Sequence, residues 1–211
     1  MVEIPLPDGT RLRREYSLAS LPADGQAELI VRRTTDGAGQ PGPGSDWLTR
    51  QLQTGGLLRM RIRENPGFHS SDDRRPMVLI GAGSGLSGLV AHIRQRASAK
   101  APGPVWLLFG ERSRGHDAIL DAELQDWLRS GVLRRLDRAF SRDGDGPRYV
   151  HELLRLNAAT LADWDAQGAG FYICGRREGM GRDAERALAD ILGDVWFQAL
   201  ALSGRWLRDL Y

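Results

Sequence analysis

Hydrophobic residues follow two different patterns along the chain, and the pattern changes near the end of the first third. Ahead of Ser70, apolar residues are sparse and fall in short strand-like groups. Glu28 to Arg33 (ELIVRR) and Leu57 to Arg63 (LLRMRIR) read as β-strands, the second with a clean period of two. After Pro76 the apolar runs become continuous. MVLIG (77–81), VWLLFG (105–110), VLRRLDRAF (132–140) and GFYICG (170–175) predict strands of a buried parallel sheet. Helical periodicity follows the first of these up to about Ala99, and returns in DAELQDWLRS (121–130) and RDAERALADIL (182–192). Strand–helix alternation of this kind specifies a sheet with helices on both faces. The predicted fold class is α/β: a doubly wound parallel sheet preceded by a β-rich piece. Asp36–Ser45 (DGAGQPGPGS) reads as a loop, and Ser70–Pro76 (SSDDRRP) as a boundary. The expected domains are therefore 1–72 and 73–211.

Composition narrows the function classes. The 211 residues are 41% hydrophobic and 27% charged, which excludes a disordered or collagen-like chain. No apolar run reaches the roughly 18 residues of a membrane span. The opening MVEIPLPDGT shows no basic region followed by an apolar one, so the expected setting is cytoplasmic, or the cytoplasmic side of a longer protein. The single cysteine, Cys174, excludes an internal disulfide and a cysteine-cluster metal site, and no metal is expected. The net charge of +2 is small, and arginines interleave with acids in RRLDR and RSRGHD, so nucleic acid is not an expected partner.

Five segments carry candidate chemistry. GAGSG (81–85) lies between a strand and a helix, where glycines let a phosphate approach the backbone and the helix start supplies free N–H groups. The same turn also suits a plain strand–helix connection. SRD (141–143) closes the third strand, and ligands of open α/β sheets bind beyond the carboxyl ends of strands. A hydroxyl beside a guanidinium suits a phosphate monoester there, against the plainer option of a solvated arginine. YICG puts Cys174 at another strand end, where it is either inert core or part of a crevice. RREYSLAS (13–20) puts Arg14 and Tyr16 on one face of an extended segment, as a cation and a flat ring. The terminal GRWLRDLY offers Trp206 and an aromatic last residue, Tyr211.

In their order along the chain, these segments resemble the ferredoxin–NADP reductase superfamily. The likeness is greatest to its diflavin branch, the flavoproteins of NADPH–sulfite reductases and their cytochrome reductase relatives. It runs from about Arg13 to Tyr211, with LLFGERSRGHD, GVLRRLDRAFSRD and FYICGRREGMGRD matching almost position for position. The resemblance implies FAD and NADPH as cofactors. It implies that Arg14 meets the FAD pyrophosphate, that Tyr16 lies against the isoalloxazine, and that Ser17 is near the flavin N5. It assigns the turn Gly42, Gly44 and Ser45 to the FAD diphosphate, and Gly83, Ser84 and Gly85 to the NADP pyrophosphate. Arg112 is implied beside the nucleotide, with Ser141, Arg142, Arg148 and Tyr149 around the 2′-phosphate and adenine. Cys174 and Gly175 are implied at the nicotinamide, Met180 on the adenine side, Asp209 in hydride transfer, and Tyr211 stacked on the flavin. The catalytic set so implied is Ser17, Cys174, Asp209 and Tyr211.

Departures qualify this set. Gly88, Leu89 and Val90 stand where the family has a proline, an aromatic and an arginine. Arg148 is one place off the family's basic residue, and His151 replaces a glutamine. Thirteen residues precede Arg14, so a partial antiparallel β-barrel with a loose flavin site is expected: either the chain is a piece of a longer flavoprotein, the favoured reading, or the barrel is a reduced version. The implied activity is hydride transfer from NADPH to FAD, with electrons passing to an acceptor protein or domain, flavodoxin-like or haem-containing. The alternative is a nucleotide-binding module without catalysis.

Overall fold

A computed structural model describes residues 1–70, 72–144 and 146–211. Ser71, inside the expected boundary segment, lies outside the described residues. The chain opens with an antiparallel hairpin of β1 (Val2–Pro5) and β2 (Arg11–Arg14). Its turn is fixed by Asp8, whose carboxylate accepts from the Thr10 amide at 2.9 Å and the Thr10 hydroxyl at 2.6 Å. The chain then turns helical at α1 (Pro43–Asp46), and β3 (Arg59–Met60) pairs with β1 to give the order β2-β1-β3.

Three expectations for this region need correction. Glu28–Arg33 forms no strand, only an isolated bridge between Leu18 and Leu29. Its amides bond side chains instead, Glu28 to the Ser20 hydroxyl and Ile30 to the Ser87 hydroxyl. The strand expected over 57–63 shrinks to two residues, because its partner β1 is itself only four residues long. The loop expected through Ser45 ends early, since Pro43 has the fixed φ suited to the first helical position.

The second part is the expected doubly wound sheet. Its elements are β4 (Met77–Ala82), α2 (Leu86–Ser98), β5 (Val105–Glu111), α3 (Arg114–Asp117), α4 (Asp121–Ser130), β6 (Leu133–Phe140), α5 (Val150–Leu156), α6 (Ala158–Ala166), β7 (Gly170–Gly175), α7 (Arg182–Leu192), α8 (Asp194–Leu202) and β8 (Trp206–Leu210). The strands are all parallel, in the order β6-β5-β4-β7-β8. Alternate residues face opposite layers. Val78, Ile80, Trp106, Leu108, Phe171 and Ile173 pack with α5, α7 and α8. Met77, Leu79, Leu107, Phe109, Tyr172 and Cys174 pack with α2. That face also takes in Ala19 and Phe68 from the amino-terminal part. The pattern missed β8, too short to separate from a loop, and α8 (DVWFQALAL), whose apolar residues do not keep to one stripe.

Candidate functional site

β4 adjoins both β5 and β7, so the strand order reverses at its carboxyl end. Crevices of open α/β sheets form at such a point. The GAGSG turn leaves β4 here. Gly83 has φ +58°, a left-handed conformation that favours glycine. A Cβ on Gly85 would lie 2.7 Å from the Cys174 carbonyl carbon and 2.9 Å from Gly175 Cα, so only glycine lets this turn press onto the end of β7.

Register then brings the reactive groups together. Gly81 pairs with Cys174, and Cys174 with Asp209, across β4, β7 and β8. The Cys174 thiol donates toward Asp209 Oδ2 at 3.6 Å. Ser17 arrives from the amino-terminal part. Its hydroxyl donates to the same Oδ2, and its Oγ lies 3.9 Å from Cys174 Sγ. Asn65 donates to the other oxygen of Asp209 at 3.4 Å. Burial first, and then the neighbouring Asp209 carboxylate, push the Cys174 thiol well above its ordinary range. It is therefore a neutral donor and not a thiolate.

A cavity of about 290 Å³ opens beside this group. Its lining includes Arg14, Tyr16, Ser17, Gly42, Gly44, Ser45, Ser84 and Tyr211, bringing together expected residues from both parts of the chain. A Cβ on Gly44 would lie 2.9 Å from Ile4 Cδ1, 3.2 Å from Arg14 Cγ and 3.4 Å from the Tyr16 hydroxyl. The bare glycine thus forms one wall of the cradle. Ser45 Oγ accepts from the Thr34 amide at 3.0 Å and donates to the Gly42 carbonyl at 3.1 Å, which fixes the turn. The Tyr211 hydroxyl lies 2.8 Å from Ser84 Oγ, closing the cavity toward the glycine turn. The Tyr211 amide donates to the Gly175 carbonyl at 3.2 Å. Burial raises the pKa of both Tyr16 and Tyr211, so both rings keep their hydroxyl protons.

Of the remaining expected residues, Ser141, Arg142, Arg148 and Tyr149 lie between the end of β6 and the head of α5, and Arg112 follows β5. The Ser141 and Arg142 amides donate to the Glu111 and Arg112 carbonyls at 2.9 and 2.7 Å. The Arg142 and Arg112 side chains are exposed. Despite its one-place offset, Arg148 comes to Ser141, its Nε and NH2 donating to the Ser141 carbonyl at 3.2 and 3.1 Å. Tyr149 stacks on His151, with ring centroids 5.7 Å apart. Met180 packs elsewhere, on the end of β7, where its Cε lies 2.8 Å from the Cβ position of Gly175.

Sequence reasoning missed Arg32, Asn65 and Ser87. Arg32 lines the cavity, with its guanidinium 3.7 Å from the Cβ position of Gly83. Its NH2 has no hydrogen-bond partner among the described residues and lies 3.7 Å from Asp117. In a chain so rich in arginine, no local signal separates Arg32 from its neighbours.

The oxidoreductase NAD-binding domain family matches residues 79–186, half of the chain. Among curated proteins, the chain is 33% identical to the sulfite reductase [NADPH] flavoprotein alpha-component of Yersinia enterocolitica, over 94% of this chain and 36% of that protein. It is 32% identical to the proteins of the same name from Neisseria meningitidis, over 94% and 35%, and Escherichia coli K12, over 94% and 36%. The chain thus spans about a third of the length of the curated relatives it matches.

Proposed function

We propose that this chain, which belongs to the oxidoreductase NAD-binding domain family in its ferredoxin–NADP reductase form, is a flavin reductase module that takes a hydride from NADPH and passes electrons onward. The observation that carries this is the meeting of Ser17, Cys174 and Asp209 beside the cavity, at the point where strand order reverses. Strand register alone pairs Cys174 with Asp209, but the Ser17 hydroxyl is brought to the same carboxylate from the amino-terminal part, which disfavours a module that only binds nucleotide.

The residues fit the flavin end of FAD. The lining offers a cation in Arg14, an aromatic face in Tyr16, a bare backbone wall at Gly44, and the buried NH2 of Arg32, which has no hydrogen-bond partner among the described residues. FAD, when bound, supplies the hydride acceptor at its N5. In our assignment Arg14 and the turn at Gly42, Gly44 and Ser45 hold its phosphates, and Tyr16 flanks the ring. Gly83, Ser84, Gly85 and Arg112 hold the nucleotide pyrophosphate, and Ser141, Arg142, Arg148 and Tyr149 its 2′-phosphate and adenine. Gly175 lies beside the nicotinamide, and Met180, expected on the adenine side, packs instead on Gly175. The Ser17 hydroxyl donates to Asp209, and the neutral Cys174 thiol keeps a proton at the nicotinamide side without adding charge. The Asp209 carboxylate stabilises positive charge that develops on the nicotinamide. Tyr211 covers the cavity and moves aside to admit the nicotinamide.

The relatives are named as one component of sulfite reductase. By extension, this module hands its electrons to a separate acceptor protein or domain, flavodoxin-like or haem-containing. Its setting is the cytoplasm, where NADPH is the common reductant. Among the described residues no helix is long and apolar enough to cross a membrane.

The test is an absorbance spectrum of the chain with added FAD, followed by NADPH under exclusion of oxygen. The expected result is a flavin band that bleaches on NADPH addition. Cys174→Ala should slow bleaching at saturating NADPH and leave nucleotide affinity unchanged, as for an interaction made in the transition state. A band that never bleaches overturns the assignment.

A further inference from the structure

Ser87 is one of the buried polar residues that the assignment above leaves unused. It is the second residue of α2 and is 2% exposed. A hydroxyl is removed from water at a cost unless both its hydrogen-bonding roles are met. Here both are met, and by the other part of the chain. Ser87 Oγ donates to the Ser17 backbone carbonyl at 2.7 Å and accepts from the Ile30 amide at 3.4 Å. One side chain on the helix that follows the glycine turn therefore ties down two separate segments that line the cavity.

The next residue completes the arrangement. Gly88 stands where the family carries a proline. A Cβ here would lie 3.1 Å from Cys174 Sγ, 3.2 Å from Phe68 Cε1 and 3.5 Å from Ser17 Cβ. The contacts to Cys174 and Phe68 are tighter than ordinary packing and the one to Ser17 is ordinary, so the missing side chain leaves Cys174 and Phe68 their places beside Ser17.

We propose that Ser87 is a positioning residue for the reaction: it fixes the peptide plane that follows Ser17, which aims the Ser17 hydroxyl at Asp209, while Gly88 leaves room for Cys174 to join them. Ser87 also borders the cavity, but its hydroxyl is committed to the Ser17 carbonyl and the Ile30 amide, so it acts through Ser17. The inference rests on the flavin reductase assignment, but its structural content can be read without flavin. Cys174 is the only thiol in the chain, and it is fully buried against Ser17 and Gly88. Its rate of modification reports how firmly Ser17 is held.

The experiment compares the full chain with Ser87→Ala, Ser87→Thr and, as a control on the same helix, Ser98→Ala. Ser98 donates to the Gln95 carbonyl at 2.8 Å, far from Ser17 in the helix. The probe is 5,5′-dithiobis(2-nitrobenzoic acid). A net hydrogen bond of ordinary strength corresponds to a change of about three- to tenfold. Ser87→Ala should raise the labelling rate of Cys174 by about that factor, with Ser87→Thr restored and Ser98→Ala unchanged. With FAD added, Ser87→Ala should slow flavin reduction at saturating NADPH by a similar factor and leave the NADP⁺ dissociation constant as it was. Equal labelling in Ser87→Ala and the unaltered chain overturns the proposal, as does an equal rise in Ser98→Ala. If the unaltered chain never reduces flavin, the assignment fails while the labelling result still decides the role of Ser87. Amide exchange of the unaltered chain is the second measurement, should Ser87→Ala not fold. Protection across 17–30 matching that of 86–98 supports the anchor, and rapid exchange at Ser17–Ile30 alone overturns it.

Discussion

The parallel sheet and the amino-terminal seventy residues are held together in different ways. β5 and β7 are buried at every residue, and β4 at all but its last. In the amino-terminal sheet only Val2 and Ile4 are buried. The parallel sheet carries its own core on both faces. The amino-terminal part leans on that core through Ala19 and Phe68, and through side chains reaching out from α2. A region whose order is borrowed is expected to lose its ligand before it loses its neighbour. The nucleotide side of the site should therefore be robust and the flavin side fragile.

Two truncations of equally buried residues break this comparison most sharply. Ile80 and Ile4 are both 0% exposed. Removing three carbons from a well-packed core costs about 2–5 kcal/mol. Ile80→Ala should spend that on the central strand and weaken binding of both nucleotides, along with a large fall in melting temperature. Ile4→Ala should weaken FAD by at least tenfold, because Ile4 supports Gly44, while leaving NADP⁺ binding intact. Calorimetric titration with each ligand decides. Equal NADP⁺ losses in the two variants would show that the two parts form one cooperative core.

A pH titration probes the seam between the parts. His92 is 6% exposed, with the Phe68 ring 5.0 Å away and the Tyr172 ring 4.7 Å away. Burial lowers its pKa to about 4 from the usual 6.5. Near pH 7 the ring is neutral in both folded and unfolded chains. As pH falls from 6.5 toward 4 the unfolded chain binds a proton that the folded one refuses, so stability declines. The full loss is about 3 kcal/mol. His92→Phe should flatten the melting temperature over that window, relative to the unaltered chain. Parallel pH curves for the two would place the acid sensitivity in other groups.

On the nucleotide side, Arg142→Ala sharpens the comparison. A hydrogen bond to a charged group contributes about 1.5–3 kcal/mol, so NADPH should weaken by about 10- to 150-fold and NADH hardly at all. FAD affinity should not move. Equal losses for NADPH and NADH remove Arg142 from the 2′-phosphate site.

What could be read in the sequence follows the same division. Buried parallel strands announce themselves as unbroken apolar runs, so β4, β5, β6 and β7 were legible within a residue or two, as were α4 and α7. The amino-terminal strands were not, because a segment such as Glu28–Arg33 satisfies its amides with side chains from elsewhere, and local pattern carries no trace of that. The meeting of Ser17, Cys174 and Asp209 came from family likeness and motif order, since nothing in local spacing brings residues this far apart together. Asn65, Ser87 and Arg32 escaped both routes. Each acts through a contact that exists only once the two parts dock.

The smallest expected effect isolates the docking itself. Arg94 on α2 donates to the Ala19 carbonyl at 2.9 Å, to Glu28 at 2.8 and 3.2 Å, and to Glu123 on α4 at 3.1–3.3 Å. Its side chain is 19% exposed, so water and salt reach the pair in part. Such partly exposed pairs contribute about 0.5–1 kcal/mol, and the buried stem contributes packing as well. Arg94→Met keeps the stem and removes the charge. The segment Ala19–Glu28 would lose its clamp to α2 while Ser87 still holds Ser17. FAD should therefore weaken by only about two- to fivefold at low salt. The difference should shrink near 0.5 M salt, where the screening length is below about 5 Å and the unaltered chain loses most of the same attraction. NADP⁺ binding, which draws on β4 and β6, should not change. A loss of FAD affinity that is equally large at high salt would mean that Arg94 acts through packing, and that the amino-terminal part is docked by shape and not by charge.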